Sequence, residues 1–213
     1  MEDKKLKRGQ EIKLTISDLA FGGRGISKRD DLVFFVKDAI PNQEVIAKIS
    51  KIKKKYVEAY NIKTLKDSND QVDPVCEHFD WCGGCTTQQL DYQKQLHYKQ
   101  KQISDILNKI GGSKDLNINP IIGCEQTFFY RNKMEYTFSG SPWYIEDESY
   151  DDIIIGLHVP KRFDKILNIN KCHINHEIFN EILKISKEIT VKENMIPYDV
   201  RKHTGFLRFL VIR

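Results

Sequence analysis

The 213-residue sequence has no long run of apolar side chains, and no segment approaches the length that a membrane-spanning helix needs. Its first residues, MEDKKLKRGQ, are charged and lack the apolar segment of a signal peptide. Internal repeats and low-complexity tracts are also missing. These absences argue against a membrane protein or a repeat protein and predict a cytoplasmic location. With 40% hydrophobic residues, the chain can form one large or two small packed domains.

Charge is distributed unevenly along the chain, although the formal net charge is only +4. Residues 1–60 carry 14 Lys and Arg against 9 Asp and Glu, a net charge of +5, whereas residues 61–213 carry 20 against 21, a net of −1. An N-terminal excess of cations favours a polyanionic partner. A solvated surface with no partner is the alternative interpretation.

The N-terminal segment has the pattern of a small β domain. Apolar and polar residues alternate at Ile12–Ile16 and again at Val45–Ile49, which is typical of half-buried strands. A glycine-rich turn, Phe21–Gly25, lies between the first strands. The pattern predicts a five-stranded barrel of the oligonucleotide-binding kind over residues 1–63, within an α+β fold.

Four of the five cysteines form a pattern that is typical of a metal centre. Cys76, Cys82 and Cys85 are close in sequence, and Cys172 lies far downstream. In a reducing compartment, clustered cysteines bind metal more often than they form disulfides. Three local thiolates and one distant thiolate suit an iron–sulfur cluster.

Two other interpretations of the cysteines stay open. Only Cys82 and Cys85 make the tight C-x2-C pair that structural zinc prefers, but His78 or His173 could complete a mixed zinc site. The residues could also bind no metal. The remaining cysteine, Cys124, fits a small buried apolar group better than a nucleophile.

Further along, the sequence predicts a linker and cysteine loop at 64–86, a long helix at 87–112 and a central α+β region at 113–213. The run Thr86-Thr87-Gln88-Gln89 has the form of a capping box that opens the long helix. Isoleucines at 178, 182, 185 and 189 predict the buried face of a second helix, at 175–190. The chain ends in a dense apolar strand, which predicts that it is truncated and that the long helix packs on a missing domain.

Nearly the whole chain resembles the iron–sulfur RNA (uracil-5-)-methyltransferases, the family that makes 5-methyluridine in ribosomal RNA. The stretch ISDLAFGGRGISKRDDLVFFVKDAIPNQEVIAKISKIKKKYVEA resembles a TRAM domain, an RNA-binding small barrel. The stretch CEHFDWCGGCTTQQLDYQKQLHYKQ is similar to the cluster motif and the helix after it. YRNKMEYTFS, IGLHVPKRFDKILNINKCHI and LRFLVIR resemble elements of the central domain. One turn departs from the family's Pro-Gly-Glu and reads Pro41-Asn42-Gln43-Glu44.

The resemblance implies that Cys76, Cys82, Cys85 and Cys172 hold a 4Fe–4S cluster, which is structural or helps to hold RNA because methyl transfer is redox-neutral. In the family reaction, a Cys thiolate adds to a flipped-out uridine, the methyl group comes from S-adenosylmethionine, and a general base removes the ring proton. Those parts belong to a C-terminal Rossmann-like domain.

This sequence has no Gly-rich cofactor loop after a strand, and no Asp-Pro-Pro or Ser-Cys-Asn-Pro segment. We therefore assign no catalytic or S-adenosylmethionine-binding residue and expect the chain to be inactive alone. The partner that the resemblance implies is RNA, with ribosomal RNA first. A transfer-RNA enzyme and a stand-alone RNA-binding iron–sulfur module are the alternatives.

RNA contacts are expected from cations that could reach phosphate groups. The expected contact residues are Arg24, Lys51, Lys53, Lys54, Lys55, Arg131 and Lys133. The last two could equally face a neighbouring strand. Phe21 could stack on a base, or it could belong to the core of the barrel.

Overall fold

A computed structural model of the chain describes residues 6–109, 111, 116–141, 143, 153–160, 162 and 164–213. This part contains strands and two long helices, which confirms the α+β class. It forms two compact units, one of residues 1–73 with 86–123 and the other of residues 74–85 with 124–213. The predicted division at residues 63, 86 and 112 stays a prediction. Neither helix in the described ranges combines the length and the apolarity that a membrane crossing requires.

The first unit is built on one six-stranded sheet. Its strands are β1 (Glu11–Thr15), β2 (Asp18–Leu19), β3 (Gly25–Arg29), β4 (Leu32–Lys37), β5 (Glu44–Ile52) and β6 (Tyr56–Lys66). They lie in the order β1-β5-β6-β4-β3-β2, and only β4 and β6 are parallel neighbours. Buried side chains alternate with more exposed ones along β1 and β5, as the sequence pattern predicted. The core that these strands enclose includes Ile12, Leu14, Ile16, Phe34, Val36, Val45, Ala47, Ile49 and Val57.

The sheet differs from the predicted five-stranded barrel because the first strand changes partner. The amide of Ile16 donates to the carbonyl of Gln43 at 2.9 Å, and the amide of Ser17 donates to the carbonyl of Ile26 at 2.8 Å. The chain therefore leaves β5 and joins β3, so residues 11–19 supply both edge strands, β1 and β2. No pairing between strands closes the sheet among the residues described, and a closed barrel stays a prediction.

Two turns of this unit use residues that tolerate a positive φ. Asp30 and Asp31, with φ of 48° and 59°, form the two-residue connection of the β3–β4 hairpin. Asn42 has φ of 71° in the turn after Pro41. Asparagine is one of the few residues other than glycine that visits this region readily, so it can stand where the family has glycine.

The helix of the first unit, α1, spans Tyr92–Lys109. It begins later than Thr87 because Asp91 is its N-cap: the Asp91 carboxylate accepts the amides of Gln93 at 3.0 Å and Lys94 at 3.2 Å. On α1 the buried residue is Tyr98, which joins a small core of Leu19, Ile40 and Leu90.

The second unit is a four-stranded antiparallel sheet with one helix. Its strands are β7 (Met134–Ser139), β8 (Ile154–His158), β9 (Ile166–Asn168) and β10 (Phe209–Ile212), in the order β10-β7-β8-β9, and the helix is α2 (Glu177–Lys192). The core of this unit includes Met134, Tyr136, Phe138, Ile155, Leu167, Ile169, Cys172, Phe179 and Leu183. It thus contains one of the four cysteines that the sequence pattern singled out.

One sequence prediction for this unit is wrong. The predicted apolar stripe of α2 is not its buried face: Ile185 is 53% exposed, whereas Phe179 and Leu183 are buried. The apolar C-terminal strand is an edge strand, and Phe209 and Val211 are each 47% exposed. In α2 the spacing of the isoleucines was misleading, because packing against the sheet decided which apolar residues of the helix are covered.

Two adjacent phenylalanines of β4 test the core of the first unit. Phe34 is 1% exposed, whereas Phe35 is half-buried and meets the Tyr56 ring edge-on at 5.7 Å between ring centres. We expect Phe34→Ala to lower the free energy of unfolding by about 3–5 kcal/mol, because it leaves a cavity. Phe35→Ala should cost about 1–2 kcal/mol. Urea unfolding followed by circular dichroism compares the two, and equal losses would contradict the assigned core face.

Candidate functional site

The cysteine loop, residues 74–85, is wound into consecutive turns. The amide of Phe79 donates to the carbonyl of Cys76 at 3.1 Å. The amides of Trp81 and Cys82 donate to the carbonyl of His78 at 3.1 Å and 2.8 Å. These turns shorten the path between Cys76 and Cys82, so the loop is compact although five residues separate the two cysteines.

His78 anchors this loop inside the second unit. It is 4% exposed, and its Nε2 accepts the backbone amide of Asn170 at 3.2 Å, just after β9. The Glu77 carboxylate lies 3.1 Å from the same nitrogen, but that contact would need a proton on Nε2, whereas the amide needs a lone pair there. The amide bond assigns the tautomer that carries its proton on Nδ1. Because Nε2 is used in this way, His78 is a poor candidate for the mixed zinc site that the sequence left open.

Cys172 is held by a residue that the sequence analysis missed. Its amide donates to Oδ1 of Asn180 at 2.9 Å, and Nδ2 of Asn180 donates to its carbonyl at 3.2 Å. Asn180 lies on α2 and is 8% exposed. Both polar groups of the Cys172 peptide are satisfied in this way, which fixes the backbone that carries the thiol. A polar residue among the apolar positions of α2 was the signal available in the sequence.

Backbone amides point at three of the four sulfur atoms. The Sγ atom of Cys82 accepts the amide of Gly84 at 3.3 Å. The amide of His78 lowers the pKa of the Cys76 thiol, and the amides of Ile174 and Asn175 lower that of the Cys172 thiol. Such donors stabilise sulfur that carries negative charge.

Burial raises the pKa of three of these thiols above the ordinary value. It is the largest cause for Cys76, for Cys172 and for Cys82, whose pKa rises to about 11. The charges of the other thiols raise each pKa further, so the four side chains lie within electrostatic reach of one another. Thiolates in this place therefore need a compensating positive charge at neutral pH.

The structure brings the four cysteines into one unit without converging them on a point. None of the five cysteines forms a disulfide. Among the described residues, no three His, Cys, Asp or Glu side chains are arranged so that they could hold a metal ion as they stand. The chemistry of the set fits a thiolate-held centre nonetheless, because it offers four sulfur donors, amides directed at sulfur, and thiols whose burial opposes ionisation in the absence of a metal.

Arg131, one of the expected RNA contacts, lies beside this cysteine group. Its positive charge lowers the pKa of Cys172, and its amide donates to the carbonyl of Ile174 at 2.7 Å. Lys133, two residues on, is exposed just before β7. Arg131 is therefore close enough to influence the Cys172 thiol, whereas Lys133 faces solvent.

The other expected RNA contacts are in the first unit and lie around the β5–β6 hairpin. Lys53, Lys54 and Lys55 form its exposed turn. Lys51 and Arg24 both approach the Glu58 carboxylate, at 3.9 Å and 3.5 Å. We call these five cations, Arg24, Lys51, Lys53, Lys54 and Lys55, the basic hairpin surface.

Two residues with alternative sequence interpretations are both exposed. Phe21 is 78% exposed and borders a cavity of about 660 Å³ along α1, so it does not belong to the core. Cys124 is exposed and its thiol donates to the carbonyl of Gln126 at 3.0 Å, so the prediction of a buried apolar cysteine is wrong.

Comparison with known proteins gives the chain a TRAM domain and relatives among RNA methyltransferases. The TRAM domain family matches residues 5–60. An uncharacterized RNA methyltransferase of Bacteroides thetaiotaomicron is 38% identical over 201 residues, which is 92% of this chain and 44% of the relative. One of Chlorobaculum tepidum is 32% identical over 216 residues, 97% of this chain and 45% of the relative. The chain is therefore homologous to the N-terminal part of these proteins and spans less than half of their length.

A solved structure shares the fold. It is the Pyrococcus abyssi tRNA (uracil-54, C5)-methyltransferase in complex with S-adenosyl-L-homocysteine, with 24% identity and a TM-score of 0.63. The match covers 93% of this chain and 42% of that one. At this identity the likeness bears on the fold alone.

Replacement of Asn180 tests how Cys172 is positioned. Asn180→Ala leaves the amide and carbonyl of Cys172 without partners in a buried place, and we expect a loss of about 1–3 kcal/mol in the free energy of unfolding. Glu181→Ala, at the neighbouring exposed position of α2, should change it by no more than about 0.5 kcal/mol. Denaturant unfolding measures both variants. Equal effects would show that Asn180 does not hold the peptide.

Proposed function

We propose that this chain is the N-terminal RNA-binding and iron–sulfur portion of an S-adenosylmethionine-dependent ribosomal RNA uracil-C5 methyltransferase. The observation that carries the proposal is the grouping of Cys172 with Cys76, Cys82 and Cys85 in one unit, within electrostatic reach of one another. The TRAM match and the relatives among RNA methyltransferases support it independently.

The same four cysteines would hold a 4Fe–4S cluster. When bound, the cluster supplies the positive charge that the four thiolates need. Its role here is structural, since Cys172 precedes α2 and the other three ligands belong to the loop at 74–85. We prefer iron–sulfur to zinc because there is only one tight C-x2-C pair and because the Nε2 atom of His78 already accepts an amide.

The basic hairpin surface is the proposed RNA contact of the first unit. Its lysines at 53, 54 and 55 are exposed, so they can reach phosphate groups without rearrangement of the sheet. Glu58 orients Lys51 and Arg24 toward the same side of the hairpin. Arg131 would contribute from the second unit, near the cysteine group.

Methyl transfer, its cofactor and its target uridine are proposals about a whole protein of the relatives' length, because the chain spans only 44–45% of them. We assign no catalytic residue to the chain. Ribosomal RNA is the proposed target and transfer RNA the alternative. A stand-alone RNA-binding iron–sulfur module without catalysis is the competing proposal.

Metal analysis tests the cluster. Protein purified without oxygen should be brown and contain about four iron and four sulfide per chain. Cys172→Ser should lose most of both, because it removes a ligand. Cys124→Ser, which removes the remaining cysteine from an exposed position outside the group, should retain them. Iron, sulfide, zinc and the visible spectrum are measured for all three proteins.

Two outcomes would refute the cluster. One is a colourless protein that contains stoichiometric zinc. The other is equal iron content in the Cys172→Ser and Cys124→Ser variants, which would exclude Cys172 as a ligand.

Salt-dependent RNA binding tests the basic hairpin surface. The double variant Lys53→Gln/Lys55→Gln should bind a single-stranded fragment of ribosomal RNA more weakly. The slope of log K against log salt should fall in magnitude by about 1.4, because each lost phosphate contact contributes about 0.7. Fluorescence anisotropy of labelled RNA at several salt concentrations measures this slope.

The matched control is Lys63→Gln/Lys66→Gln. These lysines are exposed near the opposite end of β6, roughly 30 Å from the turn at about 3.3 Å per residue. The control should bind as the unaltered protein does. If both double variants lose the same affinity, binding follows overall charge and the hairpin is not the site.

A further inference from the structure

The second unit contains an open cleft of about 810 Å³ that the sequence analysis did not anticipate. Its walls come from the end of β7, from the segment just before β9, and from the segment that leads into β10. Such a volume falls in the range of about 300–1,000 Å³ that is usual for ligand sites. Five cations line the cleft: Arg162, Lys165, Arg201, Lys202 and Arg208. We call it the basic cleft.

Cations outnumber carboxylates in the described lining of this cleft. The described residues of the second unit include 12 Lys and Arg and 10 Asp and Glu, a net charge of +2. Five of those 12 cations line the cleft, together with two of the ten described carboxylates, Asp164 and Asp199. The described lining therefore carries a net charge of +3, which favours an anionic ligand.

The two carboxylates leave part of this charge uncompensated. Asp164 pairs with Arg162 at 3.2 Å and with Arg201 at 2.9 Å. Lys202 lies 3.9 Å from Asp199. Lys165 donates to the hydroxyl of Ser141 at 3.2 Å and, like Arg208, has no carboxylate partner in the described part of the chain.

Aromatic rings lie next to these cations. The guanidinium of Arg208 stacks 4.9 Å from the ring centre of Tyr198 and 5.4 Å from that of Phe209. Phe209 is 47% exposed, and the guanidinium of Arg162 lies 5.8 Å from the Trp143 ring. A positive groove with accessible aromatic faces is the usual arrangement for single-stranded nucleic acid, because cations bind the backbone while bases stack on the rings.

We propose that the basic cleft binds single-stranded RNA, as a second contact surface beside the basic hairpin surface. The proposal rests on the proposed function, of which it specifies the form of RNA and a further site. Lys165, Lys202 and Arg208 bind phosphate groups, and the exposed face of Phe209 stacks on a base. Hydroxyl groups at Thr137, Ser139, Ser141 and Thr204 also line the cleft and can bond to sugar and phosphate oxygens.

Removal of two cleft charges tests the proposal in the full chain. We measure the binding of a labelled 12-nucleotide single-stranded RNA at several salt concentrations. In Lys165→Gln/Lys202→Gln, the slope of log K against log salt should fall in magnitude by about 1.4. Lys184→Gln/Lys192→Gln removes the same charge from exposed positions of α2 and should leave the slope unchanged. Equal slopes for the cleft and control variants would overturn the proposal.

The fluorescence of Trp143 can report whether RNA binds near Arg162, which a measurement of overall affinity cannot do. The chain has two tryptophans, so Trp81→Phe leaves Trp143 as the reporter near Arg162. The single-stranded RNA should change its fluorescence at the concentration at which it binds, and the change should be lost in Lys165→Gln/Lys202→Gln. If a duplex of the same sequence or an acidic peptide changes the fluorescence equally well, the cleft does not select single-stranded RNA and the proposal fails.

These measurements distinguish an incorrect cleft proposal from an incorrect proposed function. If Lys53→Gln/Lys55→Gln weakens RNA binding while the cleft variant binds normally and Trp143 does not respond, the cleft proposal falls and the proposed function stands. If the unaltered chain binds no RNA at all, both fall.

Discussion

The hydrogen bond from the Asn170 amide to Nε2 of buried His78 joins segments that are 92 residues apart in sequence, and the cysteine site depends on it. The loop at 74–85 has no strand or helix of its own, so its position must come from contacts with the rest of the second unit. His78 supplies one such contact at the exit of β9. Asn180 holds the Cys172 segment in place, since it bonds both polar groups of the Cys172 peptide. Together they tie the cysteine loop and the Cys172 peptide to β9 and α2.

Electrostatics explains why this arrangement favours a bound cation. Burial and mutual repulsion both hold thiols in the protonated form, as the raised pKa of Cys82 shows. Amides directed at sulfur and the nearby Arg131 work in the opposite direction, but burial remains the largest influence on Cys172. Buried thiols that are grouped in this way are poor nucleophiles and good candidates for ligands, because a metal replaces the protons and removes the repulsion at once. That balance is the physical basis of the proposed cluster.

The two proposed RNA surfaces arise from different kinds of structure. The basic hairpin surface is centred on one turn, between β5 and β6, from which Lys53, Lys54 and Lys55 extend into solvent. The basic cleft is assembled from distant segments, and its cations are partly held by Asp164, which bonds Arg162 and Arg201. The hairpin presents positive charge on an exposed turn, whereas the cleft combines positive charge with aromatic faces such as that of Phe209. The first suits contact with a nucleic acid backbone, and the second suits a strand whose bases are accessible.

The sequence by itself determined the features that depend on near neighbours. Alternation along β1 and β5 predicted which side chains of those strands are buried, because successive residues of a strand point to opposite faces. Cysteine spacing singled out the candidate ligands, although whether they hold a cluster stays a prediction. The start of α1 was missed although its signal is local, since the Asp91 side chain caps the helix. Only the tertiary structure decided the buried face of α2, the edge position of β10 and the existence of the basic cleft. Each of these is set by which distant segments pack together, and a local pattern of apolar or charged residues carries no information about its eventual neighbours.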